Sequence, residues 1–171
     1  MVLRDGVVVT TGEALNDVVV SGSMVGRMIQ LEMYIDQHWA TTYHADALII
    51  ATPTGSTAYA LACGGPILPP ELHNILVIPA APHLSMDRPI VLSEGATVEI
   101  LASSNSKNDI AAIVDGTILC LLREGDLVQV QASYHTSRFV RLRERNYFYR
   151  SLLDRLEPRV PRSAPENREK L

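Results

Sequence analysis

The sequence predicts a mainly β domain, sandwich- or barrel-like rather than built from βαβ units. Short runs rich in Val, Ile, Leu and Thr recur along the chain and are bounded by Gly, Ser or Asp. Ile29, Leu31, Met33 and Ile35 alternate with Gln30, Glu32 and Tyr34, which is the period of a half-buried strand. Asp115-Gly116 stands between two apolar runs, the composition of a two-residue type I′ hairpin in which Gly tolerates positive φ.

In chain order, Val7–Thr10, Asp17–Val20, Ile29–Ile35 and Ala47–Ala51 read as strands. Ile75–Ile78, Thr97–Leu101, Ile110–Val114, Thr117–Leu121 and Leu127–Ala132 follow. A short helix is expected through Ala58–Ala62, capped by Ser56 or Thr57 and stopped by Gly64-Gly65-Pro66. A second helix is expected over Asn146–Leu156, with Phe148, Leu152, Leu153 and Leu156 on one face. Beyond Glu157, prolines and charges predict a flexible tail over 157–171, leaving 1–156 as the folded domain.

Composition narrows the function classes. With 47% hydrophobic and 20% charged residues in 171, the chain is not of the disordered class. Aromatics are only 5%, so Val, Ile, Leu and Ala must fill the core. No apolar run approaches the roughly 18–20 residues of a membrane span, and the first residues carry no basic-then-apolar leader. A cytoplasmic protein without membrane partners is expected. Cys63 and Cys120 lack CxxC spacing, and the histidines lack metal-ligand spacing, so no metal site is expected. Residues 1–137 hold 5 basic and 14 acidic side chains, whereas residues 138–171 hold 10 basic and 5 acidic. The basic end lacks aromatics arranged to stack on bases, so it reads as a solvated or subunit-facing surface and not as a nucleic-acid site.

The segment Ala45-Asp46 through Tyr59 is the most informative. An apolar strand runs into Thr52-Pro53-Thr54-Gly55-Ser56-Thr57 and then into a helix. Hydroxyls, free backbone N–H groups and a helix start together suit a phosphate or a ribose, or they form an ordinary capped helix start. The loop is not a P-loop, because Ser56 rather than Lys follows Gly55, and G-x-S-x-G is absent. Gly64-Gly65 allows a close backbone approach or makes a turn. Asn16-Asp17 at a strand start places an amide and a carboxylate where a sugar could bind, or simply punctuates a turn. His83, in the polar loop Ala81-Pro82-His83, is expected to be a buried, hydrogen-bonded imidazole.

Taken together, Ala14-Leu15-Asn16-Asp17, Ala45-Asp46, Thr52-Pro53-Thr54-Gly55-Ser56-Thr57-Ala58-Tyr59, Gly64-Gly65-Pro66, Ala81-Pro82-His83, Arg88-Pro89 and Asp115-Gly116 resemble the C-terminal domain of the NAD kinases. The resemblance covers roughly residues 4–156. It implies a β-sandwich-like domain that binds NAD. It also implies transfer of a phosphoryl group from ATP, or from polyphosphate, to the 2′-hydroxyl of the NAD adenosine ribose, giving NADP, with Mg²⁺ for the complete enzyme. By that resemblance Asn16, Asp17, Asp46, Thr54, Thr57, Ala58 and Tyr59 are the NAD contacts, Asp46 near a subunit contact, in a homodimer or homotetramer.

Two departures stand out. Ala47 replaces the family's Gly after Asp46, and the Gly-Gly-Asp-Gly-Thr loop with the family's catalytic Asp, on an N-terminal α/β domain, occurs nowhere in these 171 residues. No catalytic residue is therefore assigned. The chain is expected to supply the NAD-binding half and, alone, to be inactive or very weak. A stand-alone dinucleotide-binding module and a related lipid or sugar kinase fragment are the other readings left open.

Overall fold

A computed structural model describes residues 1–22, 28–102, 110–140, 142, 152–154 and 156. These fall in two units, Met1–Thr136 and Ser137–Leu171. In the second unit residues 152–154 and 156 are helical; the remainder of the expected helix 146–156 and the tail 157–171 lie outside the described residues.

The described residues of the first unit form twelve strands: β1 (Val2–Arg4), β2 (Val7–Thr10), β3 (Asp17–Gly22), β4 (Ile29–Ile35), β5 (His38–Ala45), β6 (Ala47–Ala51), β7 (Ile75–Ala80), β8 (Ile90–Leu92), β9 (Val98–Ala102), β10 (Ile110–Val114), β11 (Thr117–Leu122) and β12 (Leu127–Val130). They form two six-stranded sheets, one in the order β2-β1-β12-β9-β4-β5 and the other β11-β10-β3-β6-β7-β8. Neighbouring strands in both sheets pair antiparallel. The mainly β, sandwich-like expectation therefore holds.

Alternation decides which side chains meet between the sheets. Leu31, Met33, Val98, Ile100 and Val128 of the first sheet pack with Val20, Leu48, Ile50, Val77, Ile110 and Ala112 of the second. The second sheet is also apolar on its outer face, where Val19, Ala47, Ile49, Ala51, Leu76, Ile78 and Ala80 cluster. Ala60 and Leu68, from the segment that follows β6, cover that face. Strands β6 and β7 are buried throughout for this reason.

Asp115 (φ 45°) and Gly116 (φ 80°) form the two-residue turn joining β10 to β11, as their composition predicts. Three strands escape the sequence reading. β1 is only three residues long, yet Asp5 (φ 51°) and Gly6 (φ 75°) close the same kind of turn to β2. β5 joins β4 through Asp36 (φ 50°) and Gln37 (φ 67°), a turn without glycine, and its first three residues are exposed. β8 is a short edge strand on β7. The expected strand Thr97–Leu101 is shifted by one residue, and Leu127–Ala132 ends at Val130.

Asp126 fastens the first sheet at the turn before β12. Its carboxylate accepts from Arg4 Nε (2.9 Å) and Nη2 (2.6 Å) and from the Arg123 backbone N–H (2.8 Å). Burial alone would raise its pKa, but Arg4 and the Arg123 amide outweigh that and hold it below the ordinary value. A carboxylate with a depressed folded-state pKa contributes stability that is present above its unfolded pKa and lost as pH falls through the folded value. Asp126→Asn should thus be less stable than the parent at neutral pH, with the gap closing below about pH 4. Urea unfolding on both sides of that pH checks this, and a gap of constant size would contradict it.

Candidate functional site

Pairing of β3 with β6 sets Asp17 opposite Ala51, so the start of one strand and the end of the other lie side by side. The loop after β6 is then tied to residues 15 and 16. The Thr52 backbone N–H donates to the Asn16 carbonyl (2.9 Å), and Thr52 Oγ1 donates to the Leu15 carbonyl (2.7 Å). The same hydroxyl accepts from the Gly55 N–H (3.0 Å). A side chain at Gly55 would collide with the Asn16 carbonyl, so this position admits only glycine.

A 3-10 turn over Thr54–Thr57 leads into a single helical turn, α1 (Tyr59–Ala62). The helix has no side-chain cap, which corrects the expected capping by Ser56 or Thr57. Thr57 Oγ1 instead donates back to the Thr54 carbonyl (3.2 Å). Ser56 is fully buried; its hydroxyl donates to the Pro53 carbonyl (2.6 Å) and accepts from the Leu68 N–H (2.9 Å). The Ser56 and Ala58 N–H groups bond to Thr52 and Gly55 carbonyls. The amides of Gly55, Ser56 and Ala58 are therefore spent inside the loop and form no free phosphate cradle.

Gly64 (φ 82°) ends the helix. Its N–H bonds to the Leu61 carbonyl (3.0 Å) and that of Gly65 to the Ala60 carbonyl (2.9 Å), a Schellman closure that leaves no space for a Gly65 Cβ. This closure and the Ser56–Leu68 bond fold residues 64–68 back onto the second sheet.

Opposite the loop, the backbone at residues 15–17 is fixed by Asp115. Its carboxylate accepts the N–H groups of Leu15 (2.7 Å), Asn16 (2.8 Å) and Asp17 (3.0 Å). Burial pushes the Asp115 carboxyl up, but these donors prevail and hold it below the ordinary value. The two side chains held there remain unspent. Among the described residues no hydrogen bond engages the half-buried Asn16 amide or the buried Asp17 carboxyl. Burial, with the nearby Asp115 charge, raises the Asp17 pKa. The Asp17 oxygens have no protein partner among the described residues and are not sealed from solvent, so this carboxyl is open to a ligand or a proton.

The other expected contacts are spread over the loop and both ends of β6. Tyr59 is about half exposed, and burial, Cys63, Asp46 and Asp17 together raise its phenol pKa. It thus lies within electrostatic reach of both acids. Asp17 and Asp46 are themselves apart, at opposite ends of β6, roughly 17 Å at strand rise. Asp46 is exposed where the chain crosses from β5 in one sheet to β6 in the other, held by backbone bonds to Gly22 and Ala80. Thr54 is half-buried and Ala58 exposed on the loop rim, whereas the Thr57 hydroxyl is engaged within the loop.

His83 is exposed and bonds through its backbone N–H to the His44 carbonyl (2.7 Å), which corrects the buried imidazole expected there. The sequence reading missed Thr52, Ser56 and Asp115 as the residues that hold the site. A run of hydroxyls directly after an apolar strand is visible in the sequence, but the partners at 15, 68 and 115 are not inferable from spacing. Among the described residues no three His, Cys, Asp or Glu side chains converge as a metal-ligand group.

Removing the Ser56 hydroxyl leaves the buried Leu68 N–H without a partner. Ser56→Ala is expected to cost about 1–3 kcal/mol in chemical denaturation, and a loss within experimental error would show that the loop relaxes around it. Gly55→Ala should be worse, since the obstructing atoms are backbone.

A family model described as the ATP-NAD kinase C-terminal domain matches residues 15–142. The chain is 39% identical over 140 residues to an NAD kinase of Solibacter usitatus, covering 82% of this chain and 48% of that protein. It is 42% identical over 149 residues to an NAD kinase of a Polaromonas species, covering 86% and 50%. Among solved structures, yeast NADH kinase complexed with NADH matches with a TM-score of 0.65 and 32% identity, over 70% of this chain and 34% of that one. An Archaeoglobus fulgidus NAD kinase in complex with ATP matches with a TM-score of 0.62 and 28% identity, over 71% and 46%. The chain spans about half the length of the curated relatives it matches. It belongs to the NAD kinase family, and the matched part is the C-terminal domain of that family.

Proposed function

We propose that this chain provides the NAD-binding half of an NAD kinase, which transfers a phosphoryl group from ATP or polyphosphate to the 2′-hydroxyl of the NAD adenosine ribose. The observation that carries the reading is the pair Asn16-Asp17, whose backbone is held on both sides while its side chains are unspent. A carboxylate accepts from sugar hydroxyls and a primary amide both donates and accepts, which is the set a ribose needs. Thr54, Ala58 and Tyr59 complete the adjacent wall, and Thr57 shapes the loop behind it. Asp46, at the far end of β6, would meet another part of an extended dinucleotide.

The γ-phosphoryl machinery and its Mg²⁺ belong, in this reading, to the family's N-terminal α/β half. Of the two solved relatives, one is complexed with NADH and the other with ATP, which supports both ligand classes. A homodimer or homotetramer is part of the proposal, as is a cytoplasmic setting. Exposed apolar side chains on the edge strands β2 (Val7, Val8, Val9) and β11 (Ile118, Leu121) support self-association.

Calorimetric titration of NAD into the purified chain should show saturable binding, weakened about tenfold or more by Asn16→Ala, as loss of a ligand hydrogen bond implies. A folded chain that ignores NAD would overturn the assignment of the site. Fusing a relative's N-terminal half upstream should yield NADP formation. A folded fusion that binds ATP and NAD yet forms no NADP would overturn the kinase reading and favour a non-catalytic dinucleotide-binding module.

A further inference from the structure

Asp115 lies 98–100 residues from the backbone it holds and belongs to no ligand contact named above. As one half of a type I′ turn it needs no carboxylate, since Asn-Gly makes that turn equally well. Asn, however, offers one acceptor oxygen, whereas Asp115 uses Oδ2 for Leu15 and Oδ1 for Asn16 and Asp17. Its own N–H donates to the Asp17 carbonyl (3.0 Å), so the hairpin grips residue 17 from both directions. On the other side, Thr52 donates to the Asn16 and Leu15 carbonyls, and Gly55 packs against the Asn16 backbone. Charge-assisted bonds from an exposed turn to consecutive amides are more than a hairpin requires for its own stability.

We infer that Asp115 is a positioning residue for the dinucleotide site, its carboxylate setting the backbone at 15–17 so that Asn16 and Asp17 are preorganised for binding. This rests on the reading of the Asn16-Asp17 pair as an NAD contact. The variant that isolates the carboxylate is Asp115→Asn, because Asn tolerates the same positive φ. The control is Gly116→Ala, which strains the same turn while keeping the carboxylate.

Asp115→Asn should raise the Kd for NAD about tenfold and speed hydrogen exchange of the Leu15, Asn16 and Asp17 amides, as loss of a charge-assisted hydrogen bond implies. Gly116→Ala should lower the unfolding midpoint while leaving the Kd within about twofold, since strain at a glycine acts on stability. Wild-type affinity in Asp115→Asn, or equal weakening by both variants at equal loss of stability, would overturn the inference alone. Failure of the unmodified, folded chain to bind NAD would overturn the dinucleotide reading and this inference with it. Should Asp115→Asn not fold, the unmodified chain still decides. Saturating NAD should slow exchange of the Leu15 and Asn16 amides relative to those of β12, and unchanged exchange under saturation would overturn the coupling.

Discussion

The second sheet is apolar on both faces, and that constraint organises the rest of the molecule. One face is satisfied by the first sheet. The other needs a cover, and the chain supplies it from the residues that leave β6, folded back through α1, the Gly64-Gly65 closure and Leu68. Burial of Ala60 and Leu68 on Ile49, Leu76 and Ile78 therefore determines where the hydroxyl-rich loop must run. Because the loop starts at the end of β6, it meets the start of the neighbouring strand β3, and Asn16-Asp17 come with it.

At that junction the polar groups divide into two populations. Thr52, Ser56, Thr57 and the amides of Gly55, Ser56 and Ala58 bond within the loop or to residues 15, 16 and 68. They form a rigid frame. Among the described residues, the side chains of Asn16, Asp17, Thr54 and Tyr59 make no hydrogen bond within this frame. Such a division suits recognition, since the cost of ordering the site is met during folding and not again on binding.

Two buried aspartates show the difference between scaffold and site. Asp126 has Arg4 and the Arg123 amide, and its pKa falls. Asp17 has neither a cation nor an amide donor to its carboxyl among the described residues; burial raises its pKa, and Asp115 adds a like charge. Its folded-state proton affinity exceeds that of the unfolded chain, so it opposes folding as pH rises through its pKa. A group that costs stability in its own fold is where function is to be sought.

Local sequence was sufficient for much of the fold. The alternation in Ile29–Ile35, the β-branched runs of β3, β6 and β10, and the Asp115-Gly116 turn are local signals, and they determined the mainly β class. Strand β1 was hidden because three residues carry no measurable period, although Asp5-Gly6 bore the same turn signal. Strand β5 was hidden because its turn uses Asp36-Gln37 and few of its side chains are apolar and buried. Sequence also marked the loop 52–59 and the pair Asn16-Asp17 as polar groups beside strands. Only the tertiary structure decided that the amides of Gly55, Ser56 and Ala58 are consumed within the loop, that the Asp17 carboxyl finds no protein partner among the described residues, and that Asp115 reaches back to residues 15–17. Those are hydrogen-bonding and desolvation facts about groups up to 100 positions apart, and no local pattern encodes which distant atoms meet.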